Sequence, residues 1–255
     1  MKISLIQTAL AWEDAAANRA AFTEKINAIN EVVDLVVLPE MFATGFTMNP
    51  SAVAETMDGE SVQWMVQTAV SKGCAITGSL VIEEDDKYYN RLLFVLPDGE
   101  IKTYNKRHLF SFAGEDKHYT AGTEKLIVDY KGWKICPLVC YDLRFPVFAR
   151  NTEGYDLLLY VANWPQIRTF AWDSLLKARA IENLAYTIGV NRVGQDANGH
   201  AYSGHSQVLD ALGAYIVEPQ ETDGVFTIEL SKQMLEETRA KFAFLNDRDS
   251  FTLQY

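Results

Sequence analysis

Cysteine is scarce in this chain: Cys74, Cys136 and Cys140 are all that 255 residues contain. An odd count in a chain this long argues against a disulfide framework and for a reducing, cytoplasmic setting. Long apolar runs are also missing. No stretch reaches the roughly 18 residues that a membrane-spanning helix needs. The apolar start, Met1 to Ile6, is broken by Gln7 and Thr8 and followed by Glu13 and Asp14, so it reads as a first strand rather than a signal peptide. Positive charge is outnumbered, with 23 Lys and Arg against 34 Asp and Glu, a net −11. Nucleic acids and anionic membranes are therefore poor partners, because binding them rests on neutralising phosphates. The histidines, His108, His118, His200 and His205, show neither His-Glu-x-x-His nor paired-cysteine spacing, so no metal is expected. Glycine-rich phosphate loops are absent, which leaves nucleotide binding without support and points to chemistry without a cofactor. Linkers, repeats and low-complexity segments are lacking too, so one domain over residues 1–255 is expected.

What is present is a core. The chain is 48% hydrophobic, and at this size a globular fold buries roughly 73% of the unfolded surface. Short β-rich runs alternate with helical patterns, which reads as an α/β layered domain. Leu35–Leu38 and Leu157–Ala162 are continuously apolar, as in strands covered on both faces. Trp172, Leu175, Leu176, Ala180 and Leu184 keep helical spacing, predicting a helix from about Thr169 to Leu184. Another is expected from Glu60 to a Gly73 terminator, a hairpin at Pro97-Asp98-Gly99, and a last helix over Met234–Phe244.

Three apolar runs end in reactive groups. Leu35-Val36-Val37-Leu38-Pro39 leads to the Glu40 carboxylate, Ile101-Lys102-Thr103-Tyr104-Asn105 to the Lys106 amine, and Trp133 to Val139 to the Cys140 thiol. A thiol needs activation, since its ordinary pKa near 8.5 leaves only a few per cent thiolate at pH 7. Glu40 can be that base. Attack on an amide also builds charge on oxygen, for which Lys106 and the Tyr141 backbone N–H are candidate donors. Cys74 and Cys136 read as structural.

These segments carry a resemblance. Leu38-Pro39-Glu40-Met41-Phe42, Tyr104-Asn105-Lys106-Arg107-His108 and Val139-Cys140-Tyr141-Asp142-Leu143-Arg144-Phe145-Pro146 resemble, in order, the three signature segments of the carbon-nitrogen hydrolases, the nitrilase superfamily. The likeness extends through Ala178–Asn183 and Gly204-His205-Ser206 and covers nearly the whole chain. It implies a Glu40-Lys106-Cys140 triad on a four-layer α-β-β-α sandwich, supported by a second glutamate, for which Glu115 is the nearest match. It further implies a homodimer formed through helices and a C-terminal region, here about residues 244–255.

Local wording, Met41 to Met48 and Asn163-Trp164-Pro165 with Arg168, is most similar to the omega-amidase branch. That branch hydrolyses the terminal amide of small dicarboxylic monoamides such as 2-oxoglutaramate through a thioester, releasing ammonia. On this reading Phe46 and Trp164 wall a slot, and Arg144 or Arg168 holds the distal carboxylate. Other readings stay open: a nitrile, carbamoyl or other aliphatic amide substrate, or a regulatory relative that has lost turnover. A serine-hydrolase elbow at Gly204-His205-Ser206 is disfavoured, because it lacks the second glycine and the segment from Gln207 to Val217 reads as a hairpin, not a helix.

Overall fold

The computed structural model describes residues 1–253. The first of two six-stranded sheets takes β1 (Lys2–Gln7), β2 (Leu35–Val37), β3 (Ala75–Glu84), β4 (Lys87–Val95) and β5 (Ile101–Asn105). The second takes β6 (Val128–Tyr130), β7 (Trp133–Val139), β8 (Leu157–Ala162) and β9 (Tyr186–Asn191). A ribbon of β10 (Val193–Gln195) and β11 (Ala201–Ser203) follows, and β12 (Gln207–Leu209) and β13 (Tyr215–Val217) then complete the second sheet. The final strand, β14 (Gly224–Glu229), returns to the first sheet, antiparallel to β1. Strand orders are β14-β1-β2-β3-β4-β5 and β13-β12-β9-β8-β7-β6.

Each sheet is parallel at its centre, β1-β2-β3 in one and β7-β8-β9 in the other. Parallel strands need crossovers, and the crossovers supply the outer layers. Helix α1 (Ala15–Asn27) and, after β2 and the one-turn α2 (Pro50–Val53), helix α3 (Glu60–Lys72) cover the first sheet with Phe22, Ile26, Val62, Met65 and Ala69. After the one-turn α4 (Pro146–Ala149), α5 (Thr169–Asn183) covers the second with Trp172, Leu176 and Ala180, and α6 (Lys232–Lys241) adds Leu235. Alternation along the strands makes the layers. Leu35 and Val37 face the inter-sheet core while Val36 faces the helices, and all three are fully buried. The result is the α-β-β-α sandwich.

Most predicted elements sit where the sequence pattern put them. Gly73 ends α3 at φ +65°, a left-handed residue that glycine adopts without a Cβ clash. Glycine on β9 serves close approach instead, since a Cβ at Gly189 would lie 2.5 Å from a Leu176 methyl on α5. The hairpin joins β4 to β5, and a second hairpin, β12–β13, follows Ser206. The last helix differs. It covers Lys232–Lys241 rather than Met234–Phe244, because the Ser231 side chain caps the N–H of Met234 and starts it early, while Phe244–Asp247 forms a separate 3₁₀ turn. In the tail, Leu253 packs on the core but Phe244 and Phe251 are exposed. Residues 254–255 of the tail expected at a dimer interface lie outside the described residues.

Candidate active site

Glu40 lies just past β2, Lys106 just past β5, and Cys140 just past β7. Two of these turns hold non-glycine residues in the left-handed region, Met41 at φ +42° and Cys140 itself at φ +46°. Each such residue costs on the order of 1–2 kcal/mol. Fixed bonds hold them there. The Met41 N–H donates to the Ser79 Oγ at 2.8 Å and the Phe42 N–H to the Ser79 carbonyl at 3.1 Å. Beneath this turn, β3 carries Gly78, where a Cβ would meet the Leu38 Cβ at 2.9 Å.

The Cys140 turn is fastened through Asp142. Its buried carboxylate accepts from the Val139 N–H at 3.0 Å and from the Tyr104 hydroxyl at 2.7 Å. It also accepts from the His108 N–H at 3.0 Å and contacts His108 Nδ1 at 2.7 Å, while the imidazole stacks on Phe145 with ring centroids 3.8 Å apart. Tyr104 and His108 flank Lys106, so one carboxylate ties the thiol's turn on the second sheet to the amine's segment on the first.

The reactive groups converge. Lys106 Nζ donates to Glu40 at 2.9 Å and to both oxygens of Glu115 at 2.9 and 3.0 Å. Glu40 further accepts from the Asn163 N–H and from Asn90 Nδ2, each at 2.8 Å, and it interacts electrostatically with the Cys140 thiol. Glu115 accepts from the Phe110 N–H at 2.5 Å and from Asn90 Nδ2 at 3.3 Å. Glu40, Lys106 and Glu115 are fully buried, whereas Cys140 is 9% exposed. The thiol alone among the four therefore meets the cavity beside them.

Two carboxylates sharing one ammonium set the electrostatics. Burial by itself would depress Lys106, but Glu115 and Glu40 overcome it and raise its pKa. Burial pushes the Glu115 carboxyl up, Lys106 pulls it down, and the negative Glu40 helps leave it above its ordinary value. The Cys140 thiol is raised well above its ordinary value by burial first and by the Glu40 carboxylate next, with Lys106 opposing. Burial and the neighbouring Glu40 carboxylate thus both favour the protonated thiol.

A cavity of about 310 Å³ opens over Cys140. Phe46, Tyr141, Arg144, Trp164 and Arg168 all line it, so the expected substrate-side residues are brought together. Lys106 Nζ sits 5.2 Å over the Phe46 ring. Arg144 lies 5.0 Å over Trp164 and Arg168 lies 5.0 Å over Phe110. Neither guanidinium has a carboxylate partner among the described residues. The nearby Asp196 is engaged, accepting from the Tyr202 hydroxyl and from the N–H groups of Asn198 and His200, each at 2.9 Å.

Ser206 is different. It is buried, its Oγ accepts from the Asn191 N–H at 3.0 Å, and strand β12 rather than a helix follows it. Sequence reasoning missed Asn90, Asn163 and Asp142 as parts of the site. The signal for Asn90 was a poor strand former inside Lys87–Val95, otherwise rich in aromatic and aliphatic residues.

A model of the carbon-nitrogen hydrolase family matches residues 2–240. The chain belongs to that family. Omega-amidase YafV of Yersinia enterocolitica is 47% identical over 256 residues, covering 99% of this chain and 98% of the relative. The 2-oxoglutaramate amidase of Bacillus subtilis (strain 168) is 31% identical over 250 residues, 96% of each. Among solved structures, XC1258 from Xanthomonas campestris, a CN-hydrolase superfamily protein with an arsenic adduct in its active site, superposes with a TM-score of 0.97. It shares 46% identity, covering 100% of this chain and 99% of that one.

Proposed function

We propose that the protein is a cysteine-dependent amidase that hydrolyses the terminal amide of small dicarboxylic monoamides, of the 2-oxoglutaramate type, to a dicarboxylate and ammonia. The relatives named omega-amidase and 2-oxoglutaramate amidase support the substrate class. The observation that carries the chemistry is the thiol–carboxylate–ammonium cluster at the floor of a cavity that has two guanidinium groups without carboxylate partners.

In this reading Glu40 takes the Cys140 proton as sulfur bonds to the amide carbon. Lys106 Nζ and the Tyr141 N–H stabilise the resulting oxyanion. The protonated Glu40 then gives its proton to the leaving nitrogen, the C–N bond breaks, and a thioester and ammonia remain. Water next donates a proton to Glu40 as it attacks the thioester; the C–S bond then breaks, Glu40 returns that proton to sulfur, and the carboxylic acid leaves. Glu115 orients Lys106 throughout. Phe46 and Trp164 wall the slot, and Arg144 or Arg168 pairs with the distal carboxylate.

A homodimer is part of the proposal. Ile181 on α5 and Leu212, Tyr215 and Ile216 on the β12–β13 hairpin are exposed together, a side chain at Gly213 would touch Ile181, and Phe244 and Phe251 add apolar surface in the tail. The reduced thiol that the chemistry requires supports a cytoplasmic location. The test is ammonia release from a panel of small amides. Dicarboxylic monoamides should be preferred, and Cys140→Ala should abolish release while leaving fold and assembly unchanged. Turnover near wild type in that variant would overturn the proposal.

A further inference from the structure

Asn90 is an unusual residue for its place in the fold. It lies mid-strand in β4 with no exposure, asparagine is a weak strand former, and its Oδ1 has no hydrogen-bond partner among the described residues. An unsatisfied buried acceptor destabilises the fold. Its Nδ2, by contrast, sits between two carboxylates, 2.8 Å from Glu40 Oε1 and 3.3 Å from Glu115 Oε1. Its carbonyl also accepts the Lys106 N–H at 2.9 Å, so the same residue registers the amine's segment.

Among the described residues the Glu40 carboxylate takes hydrogen bonds from Asn90 Nδ2, Lys106 Nζ and the Asn163 N–H, and the Cys140 thiol interacts with it as well. Donors of this kind fix the direction in which a carboxylate points. They are not equivalent during turnover. The thiol gives up its proton, and Lys106 turns part of its charge to the oxyanion. The Asn163 N–H is backbone. Asn90 is the side-chain donor that neither reacts nor carries charge.

We propose that Asn90 is a positioning residue that keeps the Glu40 carboxylate aimed at the Cys140 thiol and apart from Glu115 through the catalytic cycle. The assignment rests on Glu40 being the base. The amide bonds Glu40 and Glu115, and the titratable groups that interact with Glu40 are Glu115, Lys106, Cys140, Tyr119, whose hydroxyl donates to the Thr47 carbonyl at 2.8 Å, and Tyr202, whose hydroxyl donates to Asp196 at 2.9 Å.

Two variants in the full-length protein test it, with thiol reactivity read separately from turnover. The rate of Cys140 alkylation by iodoacetamide, followed by mass, and kcat and KM for ammonia release are measured from about pH 5 to about pH 9. In Asn90→Ala, alkylation at neutral pH and kcat should each fall about tenfold to a hundredfold, with KM within about threefold. A loss of this size matches one hydrogen bond removed from the site. Asn90→Asp should recover activity on its acid side, where the new carboxyl bears a proton it can donate, and lose it as the pH rises. A purely structural role predicts no such inversion. Profiles of Asn90→Ala that superpose on wild type, or an Asn90→Asp variant matching Asn90→Ala at every pH, would overturn the assignment. Should wild type hydrolyse no amide while the alkylation profiles move as stated, the amidase reading fails and Asn90 keeps its role.

Discussion

Replacing Glu115 by Gln separates its electrostatic work from its packing. The carboxylate makes two contacts to Lys106, at 2.9 and 3.0 Å, and Glu40 makes one at 2.9 Å. Gln keeps the shape and one acceptor but loses the charge, and a hydrogen bond to a charged group contributes about 1.5–3 kcal/mol. At 1.36 kcal/mol per decade, kcat should fall about 13- to 160-fold. KM should change little, because Glu115 is fully buried and does not line the cavity. Stability carries the second signature. Burial raises the Glu115 carboxyl, so the folded state keeps its proton longer than the unfolded chain does. That contribution is complete below about pH 4 and is lost as the pH climbs through the folded-state value. Wild type should therefore lose ground to Glu115→Gln as the pH rises from about 4 toward neutrality. The variant's amide nitrogen faces only donors, from Phe110, Lys106 and Asn90, which lowers its stability at every pH; the slope of the Tm difference is the readout. A kcat within twofold of wild type, or a slope of opposite sign, would refute the reasoning.

Substrate selection should reside in the unpaired cations. Arg144→Ala or Arg168→Ala should raise KM for a dicarboxylic monoamide about tenfold to a hundredfold, while a neutral aliphatic amide is unaffected, as steady-state kinetics on the two substrates will show. Gly78→Ala should press on the Glu40 turn, costing about 1–3 kcal/mol by thermal unfolding and reducing kcat with Cys140 alkylation slowed in parallel. Glutamate at Ile181 or Ile216 should give a monomer in analytical ultracentrifugation, whereas glutamate at Val32, exposed on its own beyond α1, should leave assembly unchanged.

Periodicity carried most of the fold. The buried central strands were legible because parallel strands covered on both faces must be continuously apolar, as Leu157–Ala162 is. The last helix was displaced because its start is set by one serine side chain, a local event that hydrophobic spacing does not register. At the site, Glu40, Lys106 and Cys140 were legible as reactive groups at strand ends, and Glu115 through the family likeness. Asn90 and Asp142 were not, since each acts by what it bonds across the molecule. Asp142 is separated from Tyr104 by 38 residues, and Asn90 from Glu40 by 50.

The acid and the thiol ride on different sheets, so the packing between those sheets is the ruler that spaces the reaction. A slip that ordinary proteins would absorb as a harmless adjustment would here pull the Glu40 carboxylate from the Cys140 thiol. The Asp142 clasp with Tyr104 and His108 falls where such a slip would be felt most. Methyl groups as remote as those of Leu35 and Ile135 thereby belong, in effect, to the tuning of the catalyst.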